Sequence, residues 1–196
     1  KSAAKLETVF QKALGYIDVL AAGNIYTGKF GSAIVSVTNP GARLSWGTPF
    51  SSRPLALKGY YDYQPKTIDY SKGDSHKHLM GETDICQIQI FLTDWEGQFR
   101  INTDERVFVD VDNDPNIIAY GKIESNVNTS TKDNLVNGYE PFTIRLDYRD
   151  LTRKPTMIVI VAAASKYGDY FTGGLGSTLY VDEFSFVYDP SELETE

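Results

Sequence analysis

Alternation of apolar and polar residues is the feature that most restricts what this chain can fold into. Residues 86–92 carry an apolar set at the even positions, and residues 142–148 repeat the pattern. A period of two puts successive side chains on opposite faces of a β-strand, so each segment predicts a strand with one buried face. Residues 157–164 are apolar at both parities, which predicts a strand that is covered on both faces.

Further candidate strands are separated by turn residues. They are residues 25–30, 33–38, 55–63, 107–111, 117–124 and 178–188, and the intervening segments contain Asn-Pro-Gly, Asn-Asp-Pro, Asn-Gly and Gly-Gly. Many short strands with turn chemistry between them predict an all-β fold, specifically an antiparallel jelly-roll β-sandwich. The length of 196 residues suits one such domain.

The N-terminal segment has a different period. Its apolar residues recur at offsets of three and four: Leu6, Val9, Phe10, Ala13, Leu14, Ile17 and Leu20. This stripe predicts a short amphipathic helix from Leu6 to Ala21, with Gly23-Asn24 as its C-terminal stop. We therefore expect an N-terminal helix or extension over residues 1–22, one domain over residues 23–190 and a tail over residues 191–196.

Charge and cysteine content narrow the classes of partner. The 19 Lys and Arg residues against 26 Asp and Glu give a net charge of −7, which disfavours nucleic acid as a partner. A single cysteine, Cys86, excludes an intrachain disulfide and a cysteine-based zinc site. No apolar stretch has the length of a transmembrane helix. Because the chain opens at Lys1 without Met, we expect a processed form that has lost a targeting segment.

Aromatic side chains between residues 46 and 70 are the first candidate for ligand contact. Large flat aromatic faces suit the C–H faces of sugar rings, and the aromatic candidates are Trp46, Tyr60, Tyr61 and Tyr63. Arg53 could donate hydrogen bonds to sugar hydroxyls beside them. Prolines on both sides of the strand favour an edge position, where Tyr61 and Tyr63 would share one exposed face. The alternative, which the sequence leaves open, is that alternate aromatic residues of this strand belong to the core.

A glycine-rich segment, residues 166–177, is the second candidate. Loops on rigid sandwiches often carry binding groups, and Tyr167, Asp169 and Tyr170 could contact a ligand there. The alternative is a structural turn in which Asp169 accepts hydrogen bonds from backbone N–H groups.

The apolar face of the last strand changes parity at Asp182-Glu183, which predicts a β-bulge there. A bulge would expose backbone carbonyls, and with Asp182 these could hold a structural calcium ion. The alternative is that Asp182 only accepts hydrogen bonds from the backbone.

Carboxylates are numerous, but the sequence selects no catalytic pair among them. The eligible residues are Glu82, Asp84, Asp94, Glu96, Asp169, Asp182 and Glu183. Glycosidases need two carboxyl groups at a defined separation, which spacing along the chain does not give.

Several runs of the sequence together resemble a known family. They are GNIYTGKF at 23–30, LKGYYDY at 57–63, YGDYFTG at 167–173 and GSTLYVDE at 176–183, with Pro49-Phe50, Arg53-Pro54, Ala119-Tyr120-Gly121 and residues 141–144 between them. Over residues 23–188 the chain resembles the putative carbohydrate metabolism domain family of gut Bacteroidetes. The resemblance implies a jelly roll similar to carbohydrate-binding modules. It also implies an exported, lipid-anchored protein encoded among glycan-utilisation genes.

The leading hypothesis is non-catalytic binding of a glycan or polysaccharide within a bacterial carbohydrate-utilisation system. The alternative is a glycoside hydrolase or polysaccharide lyase, and a structural adhesion or assembly domain comes third. We expect a monomer that binds no nucleic acid and needs no cofactor, apart from the calcium option at Asp182. The expected location is the cell surface, as an outer-membrane lipoprotein, or the periplasm.

Overall fold

Short antiparallel strands make up most of the structure. The computed structural model describes residues 2–13, 17–34, 36 and 40–193. In chain order the strands are β1 (Ala4–Glu7), β2 (Val9–Ala13), β3 (Ile17–Ala21), β4 (Asn24–Tyr26), β5 (Gly28–Ile34), β6 (Gly41–Trp46), β7 (Thr48–Pro49), β8 (Ala56–Gln64), β9 (Tyr70–Ser71), β10 (Cys86–Thr93), β11 (Phe99–Asn102), β12 (Ile117–Ser125), β13 (Glu140–Arg145), β14 (Asp147–Tyr148), β15 (Met157–Ala163), β16 (Thr172–Gly173) and β17 (Thr178–Val187). Short 3₁₀ turns span Lys77–Leu79, Thr129–Thr131, Gly168–Tyr170 and Pro190–Leu193.

Two antiparallel sheets pack face to face and enclose the main core. Sheet I is four-stranded, in the order β1-β17-β8-β13. Sheet II is six-stranded, in the order β14-β12-β10-β15-β4, with β7 also paired to β15. Ile88 and Ile90 of sheet II share one buried cluster with Leu57 and Leu179 of sheet I. The predicted all-β sandwich is therefore confirmed, because each sheet buries one apolar face against the other.

A second, smaller core covers part of the outer face of sheet II. Sheet III is three-stranded, in the order β11-β6-β5, and contributes Trp46 and Ile101 to this core. Val159 and Val161 of β15 pack there, whereas Ile158 lies in the main core. The strand predicted to be covered on both faces is thus confirmed, and its double coverage explains why both parities are apolar.

The predicted N-terminal helix is wrong, since the segment forms β1, β2 and β3. Leu6 pairs with Leu179 at the edge of sheet I, and Phe10 pairs with Leu20 in the β2–β3 hairpin. An open sheet edge offers unpaired backbone groups, and pairing with it outweighs the helical spacing of the side chains. Gly23 is needed because its chain crosses β1 closely, where a Cβ would lie 2.1 Å from the Glu7 nitrogen.

The other predicted strands agree with the structure to different extents. Residues 107–111 do not form a strand, and their β pairing is limited to one isolated bridge from Val107 to Asn102. Phe108 nevertheless packs onto the second core from this loop, which accounts for the apolar character of the segment. Strand β5 covers residues 33 and 34 of the predicted 33–38 strand, and residues 35 and 37–39 lie outside the described residues. Strands β6 and β11 were not predicted. Strand β8 lies between β17 and β13 and is central, so the predicted edge position is wrong.

The predicted bulge in the last strand is confirmed. The pairing of β17 with β8 shifts in register between Asp182 and Ser185. Glu183 adopts a left-handed backbone conformation with φ of +53°. The extra residue restores the alternation on both sides of the bulge.

Candidate functional site

A cavity of about 510 Å³ lies on the outer face of sheet II. Its floor includes Gln87 and Gln89 of β10 and Val161 and Ala163 of β15. Because Ile88 and Ile90 point into the main core, the alternation of β10 directs the two glutamines to the outer face. The volume is that of an ordinary small-molecule site.

The walls of the cavity are mainly apolar and come from outside the sandwich. They are built by the β2–β3 hairpin, by β5 and β6 of sheet III and by the loop after β15, and include Val19, Leu20, Phe30, Ile34, Leu44 and Phe171. Two aromatic rings join them, Tyr26 and Trp46, whose centroids are 6.3 Å apart at 40°. Trp46 is 8% exposed, and its Nε1 has no hydrogen-bond partner among the described residues.

One end of the floor is organised by Glu124 of β12. Its Oε1 accepts hydrogen bonds from Gln87 and Lys122, and its Oε2 accepts one from Lys166, each at 2.8 Å. Although burial alone would raise it, these three donors lower the pKa of Glu124 to about 2. The carboxylate is therefore ionised at neutral pH, and it fixes Gln87 and Lys166, which line the cavity.

Gln89, the other floor glutamine, keeps a free donor. Its Oε1 accepts a long hydrogen bond of 3.4 Å from the Tyr120 hydroxyl. Its Nε2 has no partner in the part of the chain that the structure describes. A side-chain amide offers both donors and an acceptor, so Gln89 can hydrogen-bond a ligand hydroxyl on the floor.

The predicted loop residues lie at the rim of the cavity and behind it. Asp169 lines the cavity. The residue is exposed to solvent, but desolvation by the surrounding protein raises the pKa of its carboxyl, and the charge of Arg106 opposes that rise. Tyr167 and Tyr170 instead pack on the His76 ring, with centroids at 4.8 and 4.3 Å, and the Arg106 guanidinium lies 5.1 Å from the Tyr170 ring.

A buried carboxylate, Asp84, holds this loop against the sandwich. It is fully buried and accepts hydrogen bonds from the Ser165 hydroxyl at 2.6 Å and from the Gly174 and Ile85 N–H groups at 2.8 Å. Burial raises the pKa of Asp84, and these hydrogen bonds oppose the rise. The backbone-capping role that the sequence analysis offered for Asp169 thus belongs to Asp84. Gly173 is required nearby, since its Cβ would lie 2.7 Å from the Ser165 oxygen.

Two of the predicted aromatic residues are core residues. Tyr61 is 5% exposed and Tyr63 is fully buried, and the Tyr63 hydroxyl donates to the Ala164 carbonyl at 2.9 Å. The predicted exposed platform of Tyr61 and Tyr63 is wrong, because β8 is central and this face of it packs against sheet II.

The remaining candidates lie away from the cavity. Arg53 donates to the Arg153 and Asp150 carbonyls at 2.5 and 2.8 Å, and its guanidinium lies 4.5 Å from the Tyr148 ring. These contacts give Arg53 a structural role. Tyr60 is half-buried and lies on the outer face of sheet I, on the opposite side of the sandwich.

Asp182 shares that opposite surface. It pairs with Tyr60 across β17 and β8, and together with Tyr139 and Glu183 they line a depression of about 430 Å³. Its Oδ1 accepts a hydrogen bond from the Glu183 N–H at 2.9 Å. Among the described residues, no group of three or more His, Cys, Asp or Glu side chains is placed to hold a metal ion. A calcium ion bound through backbone carbonyls at Asp182 stays a prediction.

Of the predicted residues, the structure brings Trp46 and Asp169 together in the cavity. Four residues at the cavity do not follow from the sequence motifs: Gln87, Gln89, Glu124 and Lys166. The alternation in residues 86–92 could have indicated the two glutamines, because they lie on the face of the predicted strand that is opposite to the core. Glu124 and Lys166 had no such signal, since their contacts join β12 to the end of β15.

The fold and the cavity define an all-β sandwich domain with a cavity on one outer face. Residues 1–187 match the family model described as "Putative carbohydrate metabolism domain". The chain belongs to that family, and the resemblance inferred from its sequence motifs is confirmed.

Two solved structures share the fold. One is described as a putative glycoside hydrolase from Bacteroides thetaiotaomicron; it is 21% identical with a TM-score of 0.63, over 95% of this chain and 53% of that chain. The other carries the same description and comes from Bacteroides vulgatus; it is 24% identical with a TM-score of 0.64, over 95% of this chain and 73% of that chain. This chain therefore spans about half the length of the first structure.

No curated protein matches the chain significantly. None of the described helices is long and apolar enough to cross a bilayer.

Proposed function

We propose that this domain binds a glycan in the cavity on sheet II without cleaving it. The observation that carries the proposal is a concave site with an amide floor, Gln87 and Gln89, beside the Trp46 and Tyr26 rings. Aromatic rings suit the C–H faces of a sugar, and amides suit its hydroxyls. Membership of a carbohydrate-metabolism family supports a sugar as the ligand.

The small number of carboxylates in the cavity favours binding over hydrolysis. Asp169 is the only carboxylate among the described residues that line the cavity. Retaining glycosidases need two carboxyl groups about 5–5.5 Å apart, and inverting enzymes need them about 6.5–9.5 Å apart. Glu124 lies at the end of the floor, but its oxygens accept three hydrogen bonds, and its lowered pKa suits neither a proton donor nor a proton acceptor at neutral pH.

A glycan array on the purified domain, followed by product analysis on every hit, tests the proposal. Bound glycans should be recovered intact, and Gln89→Ala should weaken their binding by about tenfold, as expected for a hydrogen bond left unmade. Tyr60→Ala is the matched control, because Tyr60 lies on the opposite face. Shortened or unsaturated products would identify an enzyme instead. Loss of binding in Tyr60→Ala but not in Gln89→Ala would move the site to sheet I.

The cellular setting belongs to the same proposal. A glycan-binding domain of a bacterial carbohydrate-utilisation system would meet polysaccharides outside the cytoplasm, so export to the cell surface or periplasm stays our expectation. Fractionation of cells that produce the full natural protein would check it.

A further inference from the structure

We propose that the ligand of the cavity is amphipathic: a glycan that carries an apolar substituent, such as an alkyl or aryl aglycone or an acyl group. The inference rests on the proposed function and adds the chemical class of the ligand.

The polar groups of the cavity are concentrated on its floor and at the loop after β15. Gln87, Gln89, Lys166 and Asp169 provide the donors and acceptors there. Lys166 lies three residues after the end of β15, and Gln87 pairs with Ala163 at the same end of sheet II. A sugar can therefore place its hydroxyls against this part of the cavity.

The two facing walls have a different character. On sheet III, Phe30 pairs with Leu44, and both line the cavity together with Ile34. The hairpin wall presents Val19 and Leu20.

Two polar side chains of these walls have partners within the chain. Lys12 pairs with Asp18 at 3.2 Å, and the Thr103 hydroxyl accepts the Ala42 N–H at 2.8 Å. Gln11 is a further polar side chain of the hairpin wall, but most sugar hydroxyls against the two walls would lose their water without gaining a partner, which is unfavourable.

An exposed apolar side chain at the mouth of the cavity also supports an amphipathic ligand. Phe30 is 64% exposed although its ring lies on the cavity wall. A ligand with an apolar group beside its sugar would cover Phe30 and keep the hydroxyls on the glutamine floor. Each methylene that moves from water into such a site favours binding roughly fourfold.

The experiment compares paired probes by titration calorimetry below the concentration of micelle formation. The pairs are methyl and octyl β-glycosides of glucose, galactose, mannose and N-acetylglucosamine. If three of the added methylenes enter the cavity, the octyl member should bind about 60-fold more tightly than the methyl member. Equal affinities within each pair, or no binding by either member of any pair, would overturn the inference while array binding still upheld the proposed function.

Two exposed apolar residues, Phe30 in the cavity wall and Leu151 outside the cavity, provide a test variant and its control. Phe30→Ser should reduce the octyl advantage severalfold, whereas Leu151→Ser, at a residue that is 78% exposed and outside the cavity, should leave the octyl advantage unchanged. Both positions are exposed, so folding should survive. An octyl advantage that is the same in both variants would overturn the inference.

A sugar-free amphiphile separates the inference from the proposed function. Pentaethylene glycol monooctyl ether should bind much more weakly than the octyl glycosides, because it leaves the glutamine floor without a sugar. Equal binding by this ether, with no effect of Gln89→Ala on the octyl glycosides, would mean that the cavity takes lipid-like molecules. That result would overturn the proposed function as well.

Discussion

Asp84→Asn should destabilise the domain more than substitution of an exposed carboxylate that contacts the same glycine-rich loop, residues 166–177. The amide can still accept from the Ile85 N–H through its oxygen, but its NH₂ group then faces the Gly174 N–H and the Ser165 hydroxyl, which now contact Oδ2 at 2.8 and 2.6 Å. The Gly174 N–H loses its charged acceptor, at about 1.5–3 kcal/mol, and the Ser165 hydroxyl, which can turn to accept from the amide, loses the stronger bond that it makes to a carboxylate. Removal of a buried charge offsets part of this free-energy cost, since burial opposes ionisation of Asp84.

The net cost is therefore about 3 kcal/mol of the free energy of unfolding, which lowers Tm by about 6–12 °C for a chain of this size. Urea unfolding followed by circular dichroism and tryptophan fluorescence measures it. Asp69→Asn is the matched control, because the exposed Asp69 carboxylate accepts from the Leu175 N–H at 3.0 Å on the same loop. It should cost less than about 1 kcal/mol. The reasoning is refuted if Asp84→Asn unfolds like the wild type or if the two variants lose equal stability.

Two further predictions concern charge and packing. The pKa of Glu124 is lowered from 4.5 to about 2, so its contribution to stability is complete above pH 4.5 and is lost as the pH falls toward 2. Glu124→Gln should therefore flatten that part of the curve of unfolding free energy against pH. A variant curve that runs parallel to the wild-type curve would contradict this role of Glu124. Gly59→Ala should cost about 1–3 kcal/mol by overpacking, because a Cβ there would lie 2.8 Å from the Phe142 ring. Gly97→Ala, with no atom within 4 Å of its added Cβ, is the control and should unfold like the wild type in urea.

The sandwich could be predicted because its central strands carry local patterns. The alternation in β10 and the double apolar character of β15 each report burial on specific faces, and the structure buries those faces. The bulge was also predictable, since a change of parity within one strand needs an extra residue. Sheet III was harder to predict. Strands β5 and β6 are short and largely exposed or half-buried, so burial imposes little period on them.

The N-terminal error has a physical origin. Offsets of three and four place residues on one helical face, but a strand followed by a hairpin can bury the same residues against different neighbours. Leu6 enters the main core and Leu20 is buried beneath the hairpin. Thr8 is fully buried between them, and its hydroxyl lies 2.6 Å from that of Ser165. A helix would have left the edge of β17 unpaired, and no local pattern reports that edge.

The candidate site was only partly predictable because local aromatic density does not reveal which face of a strand is buried. The run around Tyr61 looked accessible, yet the central position of β8 makes it core. The cavity instead joins segments that are far apart in the chain: the hairpin around Leu20, sheet III around Leu44, the floor at Gln89 and the loop at Asp169. Of the candidates, only Trp46 and Asp169 line the cavity, and neither one indicates a cavity alone.

The division of the cavity between floor and walls has a consequence for specificity. The floor belongs to β10 and β15, whose inner faces are packed in the main core, so a change there that disturbs the backbone costs stability. The walls belong to the β2–β3 hairpin and sheet III, which attach to the outer face and contribute little to the main core. Side chains such as Phe30 can therefore change at small cost. Within this fold, the amide floor keeps the preference for hydroxyls, while the walls determine which substituent beside the sugar is accepted.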